Sequence, residues 1–510
     1  MARRRQDRRR YRDTACYDGE MSLPDISGFS RLSAAEWRAF GLRLSEIGLT
    51  SAYLEPVVQT GGDLPPNLRL PIHQWHLERM SEPAAASAAL LMFEDAVPEK
   101  ASSAALGPAL LERLLEAGLI ARRPDGRIVS PFRLSIADRL YIFSDDLTHG
   151  GDAVMGASEA TTQLCRAAYP AEPVGCALEI GCGAGTIALV LAQRTQRVIA
   201  TDINPRALAM ARMNAAVNGI ENVEFRQGDA FSPVASEVFD LIVSQPPFVA
   251  RPAGARDAAY LYGGIRGDEL ASRLLQDVSD HLKPRGRAVT LVQWADCASA
   301  PACDHARVLQ LRYPPADLDV HCAMYAAAES GGDNAAYAER FAAWRDHLEQ
   351  LGIRALQSSL TVIQRDPAAP AWTAAVDIAP DCADTVTSAQ IDRIIAAHDL
   401  ARAPDLDLLQ ATLRLPDGIV FAKEYTLDEQ QPPRIVARLP ESSLGQSVDL
   451  SEASLLLISL VAEAATVGDA VDKFAARRAL AAGQGAEQML PAIRQALRLG
   501  VLAPTDRPEA

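Results

Sequence analysis

Between residues 177 and 248 the chain sets small or acidic residues at the ends of four successive strand-like runs, residue types and spacing that suit a nucleotide-like ligand. Ala177–Ile180 runs into Gly181-Cys182-Gly183-Ala184-Gly185 and then a helical stretch from Thr186 to Gln193. Glycine lets a backbone turn tightly and approach a ligand with no Cβ between, and the following helix aims its N-terminal amides at the same point. Arg197–Thr201 ends at Asp202, about 20 residues beyond the first glycine, where a βαβ unit sets a carboxylate against ribose hydroxyls. Val223–Gln227 ends in Gly228-Asp229-Ala230, and Asp229 is an acceptor for an exocyclic amine such as that of adenine. Phe239–Val243 ends in Ser244-Gln245-Pro246-Pro247-Phe248. Open α/β sheets bind ligands at the carboxyl ends of their strands, so these four ends form one candidate site. Glu179, Cys182, Ile203 and Ala230 complete the candidate set beside the glycines and the two acids.

The string Glu179-x-Gly181-x-Gly183-x-Gly185, followed by Asp202, Asp229 and a Pro-Pro-aromatic after the fourth strand, resembles the class I S-adenosylmethionine-dependent methyltransferases. Within them it resembles the Asn-Pro-Pro-Tyr/Phe group, which includes release-factor glutamine and ribosomal-RNA guanine N-methyltransferases. The resemblance covers about residues 140–300. It implies an α/β fold, a seven-stranded Rossmann-like sheet. It also implies that S-adenosyl-L-methionine binds with its methionine end at Gly181–Gly185, its ribose at Asp202 and its adenine amine at Asp229. A dinucleotide dehydrogenase shares the first glycines but has no use for Gln245-Pro246-Pro247-Phe248.

This chain departs from the group at Gln245, where Asn is usual. In the group that amide oxygen and a neighbouring backbone carbonyl accept from the target nitrogen and aim its lone pair at the methyl carbon. In-line approach of this kind supplies much of a rate enhancement. Gln keeps the donor and acceptor chemistry but is one methylene longer. Its alternative role is to cap the strand while Pro246 and Pro247 stiffen a turn. Phe248 has no hydroxyl and offers an apolar wall for a planar acceptor. Tyr260 and Tyr262 stand in a glycine-hinged run before a helix (269–282), either as a lid over the acceptor or as helix-flank packing. His149, in the Gly/Asp-rich segment before the first strand, is a candidate proton acceptor or plain polar surface.

The expected acceptor is an amide or planar amine nitrogen of a peptide, protein or small molecule. An RNA base, a metabolite hydroxyl and a non-catalytic binding module are the alternatives. The net charge of −15 disfavours a broad nucleic-acid surface. Eight scattered cysteines fit a reducing cytoplasm, and no apolar run approaches the ~20 residues of a membrane span. Cys297, Cys303, His305, His321 and Cys322 match no standard ligand spacing, so no metal is expected. At 510 residues more than one core is required. Residues 1–20 read as a disordered basic arm and residues 21–135 as a helical, winged-helix-like unit. Residues 136–365 read as the methyltransferase domain, with strands at 317–326 and 353–365 around a helix at 334–351. Residues 366–384 read as a linker and residues 385–510 as an α+β unit, again winged-helix-like.

Overall fold

The computed structural model describes residues 23–60, 66–80, 82–146, 150–296, 300, 303, 305–330, 333–382, 384–425, 433–481 and 483–505. The arginine-rich arm and His149 lie outside the described residues. Ser33 opens the first helix, α1 (Ala34–Glu46). Its side chain accepts from the Glu36 amide while the Glu36 side chain accepts from the Ser33 amide, the reciprocal capping that the Ser-x-x-Glu spacing predicts. It is followed by α2 (Ser51–Val58), α3 (Pro66–Leu77), α4 (Pro83–Leu91), α5 (Glu99–Leu106) and α6 (Pro108–Glu116). Gly107 at φ +86° ends α5, and Pro108 starts α6 at its first position. Strands β1 (Val97–Pro98), β2 (Ala121–Arg122) and β3 (Arg127–Val129) pair antiparallel in the order β1-β3-β2.

A hairpin, β4 (Phe132–Ala137) with β5 (Leu140–Asp145), leads into the central layer. That layer comprises α7 (Glu159–Ala168), β6 (Val174–Ile180), α8 (Thr186–Leu191), β7 (Thr195–Asp202), α9 (Pro205–Asn218), β8 (Val223–Gln227) and β9 (Phe239–Ser244). It continues through β10 (Val249–Ala250), β11 (Tyr262–Gly264), α10 (Glu269–Asp277), β12 (Leu282–Ala295) and β13 (Ala306–Arg312). A helical hairpin, α11 (Leu318–Ser330) and α12 (Asn334–Gln350), then precedes β14 (Leu356–Arg365) and β15 (Trp372–Asp377).

The main sheet runs β15-β13-β14-β12-β9-β6-β7-β8, parallel throughout except at β14. A parallel sheet is covered on both faces. Accordingly Ala177, Val198, Leu241 and Val289 join one buried cluster, and their chain neighbours Leu178, Ile199, Ile242 and Ala288 join another. Chain order reverses between β6 and β9, so the ligand-binding crevice falls at the carboxyl ends of those two strands.

Three expectations need correction. The sheet has eight strands, not seven, because Trp372–Asp377, inside the stretch expected to be a linker, pairs with β13 along its whole length. Its alternation was hidden by two alanines on an edge strand that buries little but Trp372. Asp317–Ala326, expected as a strand, starts a helix instead, because the Asp317 carboxylate accepts from the Asp319 and Val320 amides at 2.9 and 3.0 Å. The sixth strand is Ala306–Arg312. Finally, the helix after the tyrosines stops at Asp277 and passes through a 3-10 turn to His281.

The N-terminal unit is clamped to the sheet through α9. Asn214 accepts from the Phe143 amide and donates to the Phe143 carbonyl, both at 2.9 Å, and Asn218 does the same for Tyr141 at 2.9 and 2.8 Å. Two asparagines one turn apart thus complete the exposed edge of β5 as a neighbouring strand would. On the other side of α9, helix α1 lies backbone to backbone, since a Cβ on Gly41 would stand 1.9 Å from the Val217 carbonyl oxygen. Gly41→Ala is therefore expected to cost at least about 1–3 kcal/mol by overpacking. Denaturant unfolding checks this, and an unchanged midpoint would mean that α1 does not seat on α9.

The C-terminal unit holds α13 (Ser388–Leu400), α14 (Asp405–Gln410), β16 (Leu413–Arg414), β17 (Val420–Glu424), β18 (Arg434–Arg438) and β19 (Ser447–Leu450). It ends with α15 (Glu452–Ala462), α16 (Val467–Arg478), α17 (Gln484–Arg498) and β20 (Ala503–Pro504). Helices α15 and α16 are separated by a short break that ends at Thr466, whose side chain caps α16. The last strand, Ala503–Pro504, pairs antiparallel with β16. Among the described residues no helix is long and apolar enough to cross a membrane.

Candidate functional site

The carboxyl ends of β6, β7, β8 and β9 converge as the motif order requires. The Gly181 and Cys182 amides both donate to the Thr201 carbonyl at 2.9 Å, which folds the glycine loop back over the end of β7. Gly181 has φ +72° and open space where a Cβ would project, so a side chain there would enter the crevice. The later glycines serve the protein itself. A Cβ on Gly183 would approach the Met155 carbonyl oxygen to 3.3 Å, and one on Gly185 would meet the Ala211 Cβ at 2.9 Å. The Cys182 side chain is buried beneath the loop.

Glu179 does not face the crevice. It is 2% exposed, and its carboxylate accepts from the Ala188 amide at 2.7 Å. Gly185, the N-cap of α8, has no side chain to offer, so Glu179 caps that helix through space. Burial holds its carboxyl well above the ordinary carboxylate range. A folded-state pKa raised in this way makes the contribution of Glu179 to stability fullest at acid pH and lost progressively as pH rises above the unfolded value. Glu179→Gln has no such dependence. Between pH 4.5 and 8 the melting temperature of the wild type is therefore expected to fall relative to the variant, and a constant difference would contradict a raised pKa.

Asp202 ends β7 beside the loop, with Oδ2 accepting from the Gly183 amide and Oδ1 from the Asn204 amide, both at 2.8 Å. Burial raises its pKa, and those backbone amides oppose the rise. Ile203 next to it is 66% exposed, an apolar side chain at the mouth of the crevice. The Gly228 amide donates to the Asp202 carbonyl at 3.0 Å, which brings Asp229 and Ala230 to the same rim. Asp229 is exposed and paired with Arg273 of α10 at 3.2 Å. Sequence reasoning missed Arg273, since a single arginine on an amphipathic helix carries no signal.

Residues 150–156 form a roof over the glycine loop. The Ala184 amide donates to the Met155 carbonyl at 3.4 Å, and Asn204 Nδ2 donates to the Asp152 carbonyl at 2.9 Å. Asp145, fully buried, accepts from the Val154 amide at 2.9 Å and takes both Arg206 Nε and Nη2, at 2.7 and 2.5 Å. The roof also meets the segment after Phe248, where the Gly151 amide donates to the Asp257 carbonyl at 2.7 Å.

Gln245 is half-buried at the end of β9, and its Oε1 accepts from Thr161 Oγ1 at 3.0 Å. Thr161 is buried in the first turn of α7, beside the capping Ser158 hydroxyl at 2.8 Å. It was not anticipated, and its only trace in the sequence is the Ser-x-x-Thr spacing of a helix start. Ser244 Oγ donates to the Ile180 carbonyl at 2.9 Å and locks the ends of β9 and β6 together. Pro246 is buried, Pro247 and Phe248 are half-buried, and Val249 pairs with Tyr262. The Tyr262 hydroxyl donates to Glu329 Oε1 at 3.2 Å, and Arg256 Nη2 donates to the Tyr260 hydroxyl at 3.4 Å. Trp294 of β12 is core, with its Nε1 donating to Ser359 Oγ at 2.9 Å. Among the described residues no group of three or more His, Cys, Asp or Glu is placed to hold a metal ion.

Residues 156–295, which span the four strand ends and the Gln-Pro-Pro-Phe segment, match the methyltransferase small domain family. The chain is 47% identical over 75 residues to a release factor glutamine methyltransferase of Aliivibrio fischeri, covering 14% of this chain and 26% of that protein. It is 36% identical over 183 residues to a release factor glutamine methyltransferase of Cereibacter sphaeroides, covering 33% and 60%. It is 33% identical over 120 residues to a ribosomal protein uL3 glutamine methyltransferase of Bradyrhizobium diazoefficiens, covering 21% and 38%. The chain thus spans between 26% and 60% of the length of these relatives. The glycine loop, the two rim acids and the Gln-Pro-Pro-Phe segment thus all lie within the stretch of this chain that matches the methyltransferase small domain family.

Proposed function

We propose that this chain transfers a methyl group from S-adenosylmethionine to an amide nitrogen of a peptide or protein acceptor, with Gln245 as the residue that aims the nitrogen. The observation that carries the reading is the seat of Gln245, tied by Thr161 to the start of α7 and locked by Ser244 to the strand that ends in the glycine loop. Its Oε1 accepts one hydrogen bond from Thr161 and keeps a second lone pair for an acceptor N–H. The extra methylene of Gln relative to Asn is thereby held by a tether and not left to rotamer freedom. The glutamine specificity named for the relatives above supports the same acceptor chemistry.

The crevice suits the donor. Gly181 leaves room for its methionine end, Asp202 retains unused lone pairs for ribose hydroxyls, and exposed Ile203 offers an apolar cover for a flat base. Asp229 can accept from the adenine amine once Arg273 yields. The donor supplies an electrophilic methyl on a sulfonium. The acceptor nitrogen forms the new N–C bond as the S–C bond breaks, and its proton leaves to solvent. Gln245 and the Pro246 carbonyl orient the nitrogen, Phe248 walls one face, and the 150–156 roof keeps water from the sulfonium side. The flanking units, both read as winged-helix-like, are proposed to present the acceptor.

Purified protein incubated with methyl-labelled donor and cell extract tests this reading. Label on a protein band, mapped by fragmentation to an amide side chain, is expected. Label confined to RNA or small molecules, or none with intact donor binding, would overturn it.

A further inference from the structure

Strand β12 outruns its neighbour β9. Ser244, the last residue of β9, is level with Thr290, and β12 continues to Ala295. At about 3.3 Å per residue, Gln293 stands about 10 Å beyond that rung. Leu291 belongs to the buried cluster that includes Leu164 and Cys165 of α7, whereas Val292 and Trp294 belong to the cluster on the other face. Alternation therefore sets Gln293 on the α7 face. Gln245 occupies the same face, because its Oε1 is held by Thr161 of α7, and α7 itself packs along β12. Two further contacts close on this end of β12. Ala295 shares a buried cluster with Val249, against which Phe248 packs, and the Ala295 amide donates to Asp268 Oδ2 at 3.2 Å. Gln293 is accordingly 9% exposed, yet among the described residues its carboxamide has no hydrogen-bond partner.

A buried amide without a partner costs folding free energy, and a ligand that pairs with it removes that cost. An acceptor amide brings two N–H donors and one carbonyl. The oxygens of Gln245 and Pro246, as proposed above, answer the N–H groups and leave the carbonyl to be met by a donor. We propose that Gln293 determines specificity for a carboxamide, its Nε2 donating to the acceptor carbonyl while Gln245 and Pro246 hold the nitrogen. Bound at both ends, the amide plane is fixed, and its oxygen cannot take the place of its nitrogen before the methyl group. An apolar side chain of similar length fits the space but leaves these polar groups unpaired, the basis on which hydrogen-bonding sites reject such analogues. This inference rests on the peptide-amide reading above and adds to it the residue that recognises the carbonyl.

Calorimetry of the full chain, saturated with S-adenosylhomocysteine, against two blocked hexapeptides tests it. The peptides differ at one position, glutamine in the first and methionine, its near-isostere, in the second. Wild type is expected to bind the glutamine peptide about tenfold tighter or more. Gln293→Met is expected to weaken the glutamine peptide by about tenfold, leave the methionine peptide no weaker and keep S-adenosylhomocysteine affinity. Because no internal hydrogen bond is lost, its melting temperature is not expected to fall, whereas a purely structural Gln293 would lower it. In transfer from labelled donor the loss is expected as a raised KM for the glutamine peptide, in contrast to the lowered kcat of Gln245→Ala. An undiminished preference for glutamine in Gln293→Met would overturn the role of Gln293. A wild type that binds S-adenosylhomocysteine but neither peptide, or both alike, would instead sink the peptide-amide reading.

Discussion

Replacing Gln245 with alanine is expected to lower methyl transfer by about 10²–10³-fold while leaving S-adenosylmethionine affinity within about twofold of wild type. Gln245 lies at the end of β9, and the glycine loop and Asp202, proposed to hold the donor, lie at the ends of β6 and β7. On the proposed reading, deleting its amide removes the group that aims the acceptor and leaves the groups that face the donor in place. The loss therefore falls on kcat and not on donor binding. Two companion variants separate aiming from bulk. Gln245→Asn restores the residue usual in the group it resembles but draws the amide back by a methylene and away from Thr161 Oγ1. It is expected to retain part of the activity. Thr161→Val keeps the volume and removes the tether, and is expected to lose activity by a smaller factor, about tenfold, because the amide then samples several rotamers. Transfer from labelled donor, with calorimetry for the donor, reads all three. If Gln245→Ala retained full turnover, the amide would only cap the strand.

The site was legible in the sequence to the extent that its groups act through backbone and lie next to strand ends. Gly181, Asp202 and Asp229 could be found because a parallel sheet brings successive carboxyl ends together whatever the connecting helices do. The roles within the motif were less legible. Glu179 is the first residue of the string, yet it serves the start of α8, and Gly183 and Gly185 make room for the roof and α9. Groups that join the site from distant elements left no local pattern: Thr161 from α7 and Arg273 from α10.

The fold shows the same division. Periodicity located the four parallel strands to within a few residues, because the inner strands carry continuous apolar stretches and the edge strand Val223–Gln227 alternates apolar with polar residues. It failed at both margins of the sheet's far side. Asp317-Leu318-Asp319-Val320 alternates like a strand, but the Asp317 carboxylate caps a helix, and a capped amide is worth more than four residues of pattern. The Trp372–Asp377 strand shows little alternation in hydrophobicity because Ala374 and Ala375 occupy both its faces. The union of the N-terminal unit with α9 depends on Asn214 and Asn218, which ordinarily read as weak helix residues and here act as a strand edge.

Asp202→Ala is the second large effect, and it falls on the donor alone. Two ribose hydroxyls donating to a carboxylate are each worth about 1.5–3 kcal/mol, being hydrogen bonds to a charged group. Removing their acceptor is expected to weaken both S-adenosylmethionine and S-adenosylhomocysteine by about a hundredfold or more. The two ligands must fall together, since they share the ribose and differ only at sulfur. Asp202 also accepts from the Gly183 and Asn204 amides, so part of the loss comes through the glycine loop. Asp202→Asn divides the two contributions. Its carbonyl oxygen still serves one of those amides, while its NH₂ group faces the other N–H and cannot accept from a ribose hydroxyl. If the ribose contacts dominate, Asn is expected to bind nearly as weakly as Ala although the loop is partly restored. If loop shape dominates, Asn is expected to recover most of the affinity, and the direct ribose role of Asp202 would be wrong. Calorimetry with both ligands, alongside a thermal melt confirming that each variant is folded, separates these outcomes.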